Sequence, residues 1–125
     1  MQSLNKIMLI GNLGKNPEMR FTPTGKPVTN FTLATNSKWT TNDGERREQT
    51  DWFGIVTWGR LAETCNQYLV KGKLVYVEGR VSLRTWEKPD GSKGTSLEVV
   101  ANRVLFLGSN EQVQSQELEP EDIPF

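Results

Sequence analysis

The chain has 125 residues, one cysteine and no histidine, and its 15 Lys and Arg are matched by 15 Asp and Glu. That length supports one domain with a core of its own; the lone cysteine excludes an internal disulfide, and the lack of histidine excludes His-based catalytic triads and most zinc or iron chemistry, so no cofactor and no metal are expected. The zero net charge conceals a segregation, because residues 1–110 hold every base with ten acids (15 − 10 = +5) while residues 111–125 hold five acids and no base (−5).

Residues 4–13, LNKIMLIGNL, are mostly long or β-branched and apolar, which reads as a first strand, apolar on both faces and bent near Gly11 and Gly14. No run approaches the roughly 18 apolar residues of a membrane span, and the opening residues lack the pattern of a secretion signal, so a soluble cytoplasmic protein with no membrane partner is expected. Pro17 breaks the chain, EMRFT resumes as a short extended piece, and Pro23-Thr24-Gly25 reads as a turn. A second strand runs over residues 27–36, with Phe31, Leu33 and Thr35 on one face and Asn30, Thr32 and Ala34 on the other.

Residues 37–50 hold a single apolar side chain, Trp39, and a strong turn signal at Asn42-Asp43-Gly44, which predicts a long hairpin loop projecting from the body. Trp39 stands among Lys38, Arg46 and Arg47, either folding back as a lid or facing a ligand. The next stretch, DWFGIVTWG (residues 51–59), is the one around which the chain is organised. At the two-residue period of a strand it sends Trp52, Gly54, Val56 and Trp58 one way and Phe53, Ile55 and Thr57 the other. Both faces are apolar. Either both are covered by protein, or the two tryptophans form a platform for planar groups, of which nucleobases are the commonest polymeric kind.

Residues 60–72 carry the one convincing helical pattern, with Leu61, Ala62, Cys65, Tyr68 and Leu69 in a stripe, Lys71 near the end and Gly72 as the stop. Cys65 lies mid-stripe and reads as a small buried hydrophobe, not a nucleophile. A fourth strand, residues 73–88, separates into an apolar side (Val75, Val77, Gly79, Val81, Leu83, Thr85) and a solvent-facing side (Tyr76, Glu78, Arg80, Ser82, Arg84, Trp86). Arg80 and Arg84 beside Trp86 give the alternation of base and aromatic that suits a single nucleic-acid strand. Pro89-Asp90-Gly91 turns the chain into a fifth strand, TSLEVVANRVLFLG, and folded structure is expected to end near residue 108. Residues 109–125 are poor in apolar groups and rich in Gln, Ser and Glu, as a disordered acidic tail. Its tip, Asp122-Ile123-Pro124-Phe125, is either a solubilising end or a peptide that docks into a partner's pocket.

Five strands with one helix between the third and fourth is the order of an all-β oligonucleotide/oligosaccharide-binding (OB) barrel, over residues 1–108, followed by the tail over residues 109–125. The segments NKIMLIGNLGKNPEMRFTPTGKPVTNFTLATN and EQTDWFGIVTWGRLAETCNQYLVKGKLVYVEGRV, with the terminal DIPF, resemble bacterial single-stranded DNA-binding proteins. The resemblance implies a homotetramer, associated with the nucleoid, that wraps single-stranded DNA without strong sequence preference. By position it implies base stacking on Trp39, Trp52, Trp58 and Trp86, Trp58 standing where phenylalanine is common, and basic contacts near the DNA path from Lys6, Arg60, Lys71 and Arg84. It also implies that Asp122, Ile123, Pro124 and Phe125 recruit replication, repair and recombination proteins. Two departures stand out. Gly54 occupies a position that is often basic in relatives, and the linker of residues 109–119 is short.

Other classes fit less well. A metal-dependent nuclease would have to use Asp51, Glu63 and Glu78, which form no local cluster, so no enzymatic activity is expected. A protein-binding adaptor barrel would need no acidic tip. An RNA-binding barrel stays open, since stacking alone does not distinguish the sugars.

Overall fold

The computed structural model describes residues 2–107. The expected tail and its tip at residues 122–125 lie outside the described residues. The elements in order are β1 (Ile7–Leu13), β2 (Glu18–Phe21), β3 (Pro27–Thr40), β4 (Arg46–Trp58), α1 (Gly59–Tyr68), β5 (Leu74–Glu87) and β6 (Lys93–Phe106). β1 pairs with β5, β5 with β6, β6 with β4 in parallel, and β4 with β3; β3 then returns to β1 at Asn12 and Leu13 and closes the ring. The fold is therefore a five-stranded OB barrel with one helix, and EMRF adds as a short sixth strand on the free edge of β3.

Three hairpins are built alike. In Thr22–Lys26, Thr41–Glu45 and Lys88–Ser92 the first residue exchanges backbone hydrogen bonds with the fourth and fifth, and the fourth is a glycine at φ between +84° and +88°. That is a three-residue loop whose left-handed position only glycine takes without strain. Because the turn at Thr41–Glu45 is so tight, residues 37–50 are not a loose loop. The β3–β4 ladder runs unbroken out to Thr40 opposite Arg46, and the projecting arm is a twisted ribbon.

The core is filled by Leu13, Phe31, Leu33, Ile55, Val75, Val77 and Val99 from the strands and by Cys65 and Leu69 beneath them. Each fully buried aliphatic side chain contributes about 1.5–3 kcal/mol by leaving water. Two buried hydroxyls bond inside the fold: Thr29 Oγ1 donates to the Ala62 carbonyl (2.7 Å) and fixes the helix to β3, and Thr57 Oγ1 donates to the Thr29 carbonyl (3.0 Å), joining β4 to β3. Both are satisfied, so their burial costs little. Tyr68, expected in the buried stripe, is instead exposed and leans on Phe106 with ring centroids 6.1 Å apart. A shift of register between Glu78 and Gly79 leaves Asn102 unpaired on β6, so the inward set is Val99 and Ala101 before the bulge and Val104 and Phe106 after it.

Candidate nucleic-acid interface

Cross-strand register decides which side chains share the barrel's outer surface. On β5 and β6, Trp86 lies opposite Gly94, Arg84 opposite Ser96, Ser82 opposite Glu98 and Arg80 opposite Val100. Glu98 also lies beside Gly54 of β4. On β4 and β3, Trp52, Gly54, Val56 and Trp58 lie opposite Ala34, Thr32, Asn30 and Val28. Paired residues project to the same side, so Trp52, Trp58, Arg80, Arg84 and Trp86 stand on one face, opposite to the side that carries Phe31, Ile55 and Val99.

None of the four tryptophans is core. Trp52 is 61% exposed, Trp58 42%, Trp86 47% and Trp39 45%, values that a packed interior ring would not reach. Two of the rings rest on glycines. A Cβ at residue 94 would stand 2.6 Å from Cζ2 and 2.7 Å from Cε2 of Trp86, and one at residue 14 would collide with Cζ3 and Cη2 of Trp52. Gly14 and Gly94 thus act as seats that hold each ring flat and leave its other side open. Lys26 Nζ lies 5.4 Å from the ring centroid of Trp58, a cation–π contact. Sequence alone pointed to none of these partners, because each depends on register between separate strands.

Trp39 differs in placement. It pairs with Arg47 and has the odd parity of Phe31 and Leu33, so by alternation it projects to the other side of its ribbon from Trp52 and Trp58. It borders a separate hollow at the arm's end with Lys38, Arg46 and Arg47. Of the expected basic residues, Arg80 and Arg84 are exposed on the tryptophan face, Arg60 is exposed in the first turn of α1, and Lys71 is exposed in the loop after the helix, its backbone N–H donating to Asn16 Oδ1 (2.8 Å). Among the described residues none of these four cations has an acidic partner. Lys6 does: its Nζ is 3.4 Å from a Glu78 carboxylate oxygen.

Glu78 also accepts from the Tyr76 hydroxyl at 2.7 Å. The phenol's hydrogen bond and then Lys6 hold the Glu78 carboxyl below its ordinary range, while burial and the neighbouring anion push Tyr76 up to about 12. Tyr76 belongs by parity to the outward set but is buried, flanked by Ile10 of β1 and Leu105 of β6. Met8 and Ile10 beside it are exposed, so this side of β1 carries an apolar patch. Asp51, Glu63 and Glu78 sit on β4, α1 and β5, and among the described residues no three Asp, Glu or Cys side chains are grouped to hold a metal ion. Among the described residues, no helix is long and apolar enough to cross a membrane.

Residues 4–107 match the Single-strand binding protein family. The chain belongs to that family. A single-stranded DNA-binding protein of Thermotoga maritima is 47% identical over 125 residues, covering 99% of this chain and 89% of that protein. One of Neisseria meningitidis is 44% identical over 110 residues, covering 88% of this chain and 63% of that protein, so this chain spans just under two thirds of that relative. Among solved structures, the Plasmodium falciparum SSB in complex with ssDNA superposes with a TM-score of 0.79 at 35% identity, over 86% of this chain and 97% of that one.

Proposed function

We propose that this chain binds single-stranded DNA without strong sequence preference, stacking bases on Trp52, Trp58 and Trp86 while Arg80, Arg84, Arg60 and Lys71 meet phosphates. The observation that carries the reading is three half-exposed tryptophans sharing one sheet face with two arginines that have no acidic partner among the described residues. Open rings take bases of any kind, and free guanidinium groups take the backbone. The β3–β4 arm extends the path, with Trp39 meeting bases beyond the barrel and Lys38, Arg46 and Arg47 beside it. Lys6 reaches a phosphate only by sharing its charge with Glu78. The Plasmodium protein, which was solved with ssDNA, and the Thermotoga and Neisseria single-stranded DNA-binding proteins agree with this reading.

The apolar patch of Met8 and Ile10 on β1 supports association into a homo-oligomer, and the family resemblance makes that a homotetramer. Asp122, Ile123, Pro124 and Phe125 then serve replication, repair and recombination partners. The test is a titration of oligo(dT) at several salt concentrations. Binding quenches tryptophan fluorescence, and log affinity falls with log salt by about 0.7 for each phosphate neutralised. Arg84→Ala lowers both affinity and that slope. Unquenched fluorescence at saturation, or affinity that ignores salt, refutes the reading, and matched RNA strands as competitors show whether the sugar matters.

A further inference from the structure

The outer face has a gap between Trp52 and Trp58. Nothing lies within 4 Å of the place where a Cβ on Gly54 would stand. Its φ is not positive, so the backbone does not require glycine there and the effect of the missing side chain is room. Above it lies a hollow of about 270 Å³ whose polar border is Lys15, Glu18, Arg20, Asn30, Thr32 and Glu98. Gly54 is two residues from Trp52, about 7 Å along the strand. A nucleotide following one stacked on Trp52 therefore arrives over the gap.

Glu18 is paired with Arg20 at 3.8 Å, which leaves Glu98 as the hollow's carboxylate without a partner among the described residues. Glu98 is only partly exposed, it stands beside Gly54 on β6, and among the described residues its carboxylate has no hydrogen bond and no ion pair. A carboxylate without a partner repels a phosphate set directly against it and favours a hydrogen-bond donor, while Lys15 and Arg20 on the same border suit the phosphates on either side. The donors that a single strand brings are base edges. Cytosine, adenine and guanine carry exocyclic amines, and a glutamate accepting from the cytosine amine is a known form of base readout. Thymine and uracil offer only a ring N–H set between two carbonyl oxygens, which repel a carboxylate.

We propose that the Gly54 gap is a base-reading pocket in which Glu98 accepts a hydrogen bond from the exocyclic amine of a nucleobase. The groove consequently prefers amine-bearing bases to thymine and uracil. This rests on the reading that the groove binds single-stranded DNA, and it adds one selective position to a surface that is otherwise tolerant of sequence.

The experiment compares the full chain's affinity for oligo(dC) and oligo(dU) of equal length in mildly alkaline buffer. Those strands differ in the amine or carbonyl at one ring position and in the adjacent ring nitrogen. The expected preference for oligo(dC) is about tenfold, equivalent to about 1.4 kcal/mol. Glu98→Gln keeps the shape, removes the charge and gives an amide that turns to suit either base, so the preference falls toward unity. Gly54→Lys fills the gap with an ammonium that pairs with Glu98, strengthening binding to both strands and erasing the preference. Equal affinity of the unsubstituted chain for the two strands, or a preference that survives both substitutions, overturns the pocket and leaves DNA binding standing. Failure to bind either strand overturns both.

Discussion

Replacing Gly94 with alanine leaves Trp86 chemically intact and moves its ring. The added Cβ would stand 2.6 Å from Cζ2, whereas ordinary contact begins at 3.4 Å, so the ring regains ordinary contact by lifting about 3.4 − 2.6 = 0.8 Å. A displacement of 0.5–1 Å forfeits about a quarter to a half of a packing contact. Base stacking on an aromatic contributes roughly 1–3 kcal/mol, so Gly94→Ala should cost about 0.3–1.5 kcal/mol of DNA affinity, or about two- to twelvefold. Trp86→Ala should cost the whole, about 5- to 150-fold. The decisive measurement is the double variant. Once the indole is gone the nearest atom to the new methyl is the flexible end of Lys88, at 3.1 Å, so Gly94→Ala should cost little further in the Trp86→Ala background. Fluorescence anisotropy of labelled oligo(dT) reads all four affinities. Thermal unfolding should barely move for Gly94→Ala, because alanine's advantage over glycine in a strand, about 0.5–1 kcal/mol, offsets the displaced ring. If Gly94→Ala costs as much without Trp86 as with it, or costs nothing in either background, the seated-ring reasoning is wrong.

Gly79→Ala should lower stability by about 1–3 kcal/mol in urea unfolding, because its Cβ would meet the backbone of Val100 and stand 2.8 Å from the Ala101 Cα; Gly54→Ala, in open space, should raise it by up to about 0.5–1 kcal/mol. Burial pushes the Cys65 thiol from 9.0 up to about 11, so the unfolded chain gives up this proton first and stability falls as pH rises, by about 1.4 kcal/mol per pH unit between those two values. Unfolding titrations of Cys65→Ala should lose that part of the alkaline decline; an unchanged slope would remove the thiol as its source. Deleting Phe125 should abolish capture of replication and repair proteins in pull-downs and leave oligo(dT) affinity nearly intact, and retained capture would return the tail to a solubilising role.

What could be read along single strands was legible in the sequence. Alternation separated Phe31, Leu33, Ile55, Val75 and Val77 from Asn30, Thr32, Trp52 and Trp58, and the structure buries the first group and keeps both rings at the surface. Helical spacing located α1, and the Pro-Thr-Gly, Asn-Asp-Gly and Pro-Asp-Gly signals located all three tight turns. Relations between strands were not legible. The family resemblance grouped Trp39 with the other tryptophans, but its odd parity on β3 turns it from their face. Tyr76 sits among outward-facing residues, yet Ile10 and Leu105, remote in sequence, cover it.

The bulge at Asn102 shows why register carries so much. A strict alternation through β6 that places Val99 and Ala101 inside would also place Arg103 and Leu105 inside, and would turn Val104 and Phe106 out of the core. One unpaired residue resets the phase, so that Val104 and Phe106 point inward while Arg103 pairs outward with Glu78. The reset occurs beside Gly79, where the β6 backbone approaches too closely for any side chain on β5. Before the bulge, β6 presents Gly94, Ser96 and Glu98 to the tryptophan face; after it, the same strand completes the core and flanks Tyr76. A single strand can thus serve a binding surface and a packed interior only because the bulge lets each half keep the register its own neighbours require.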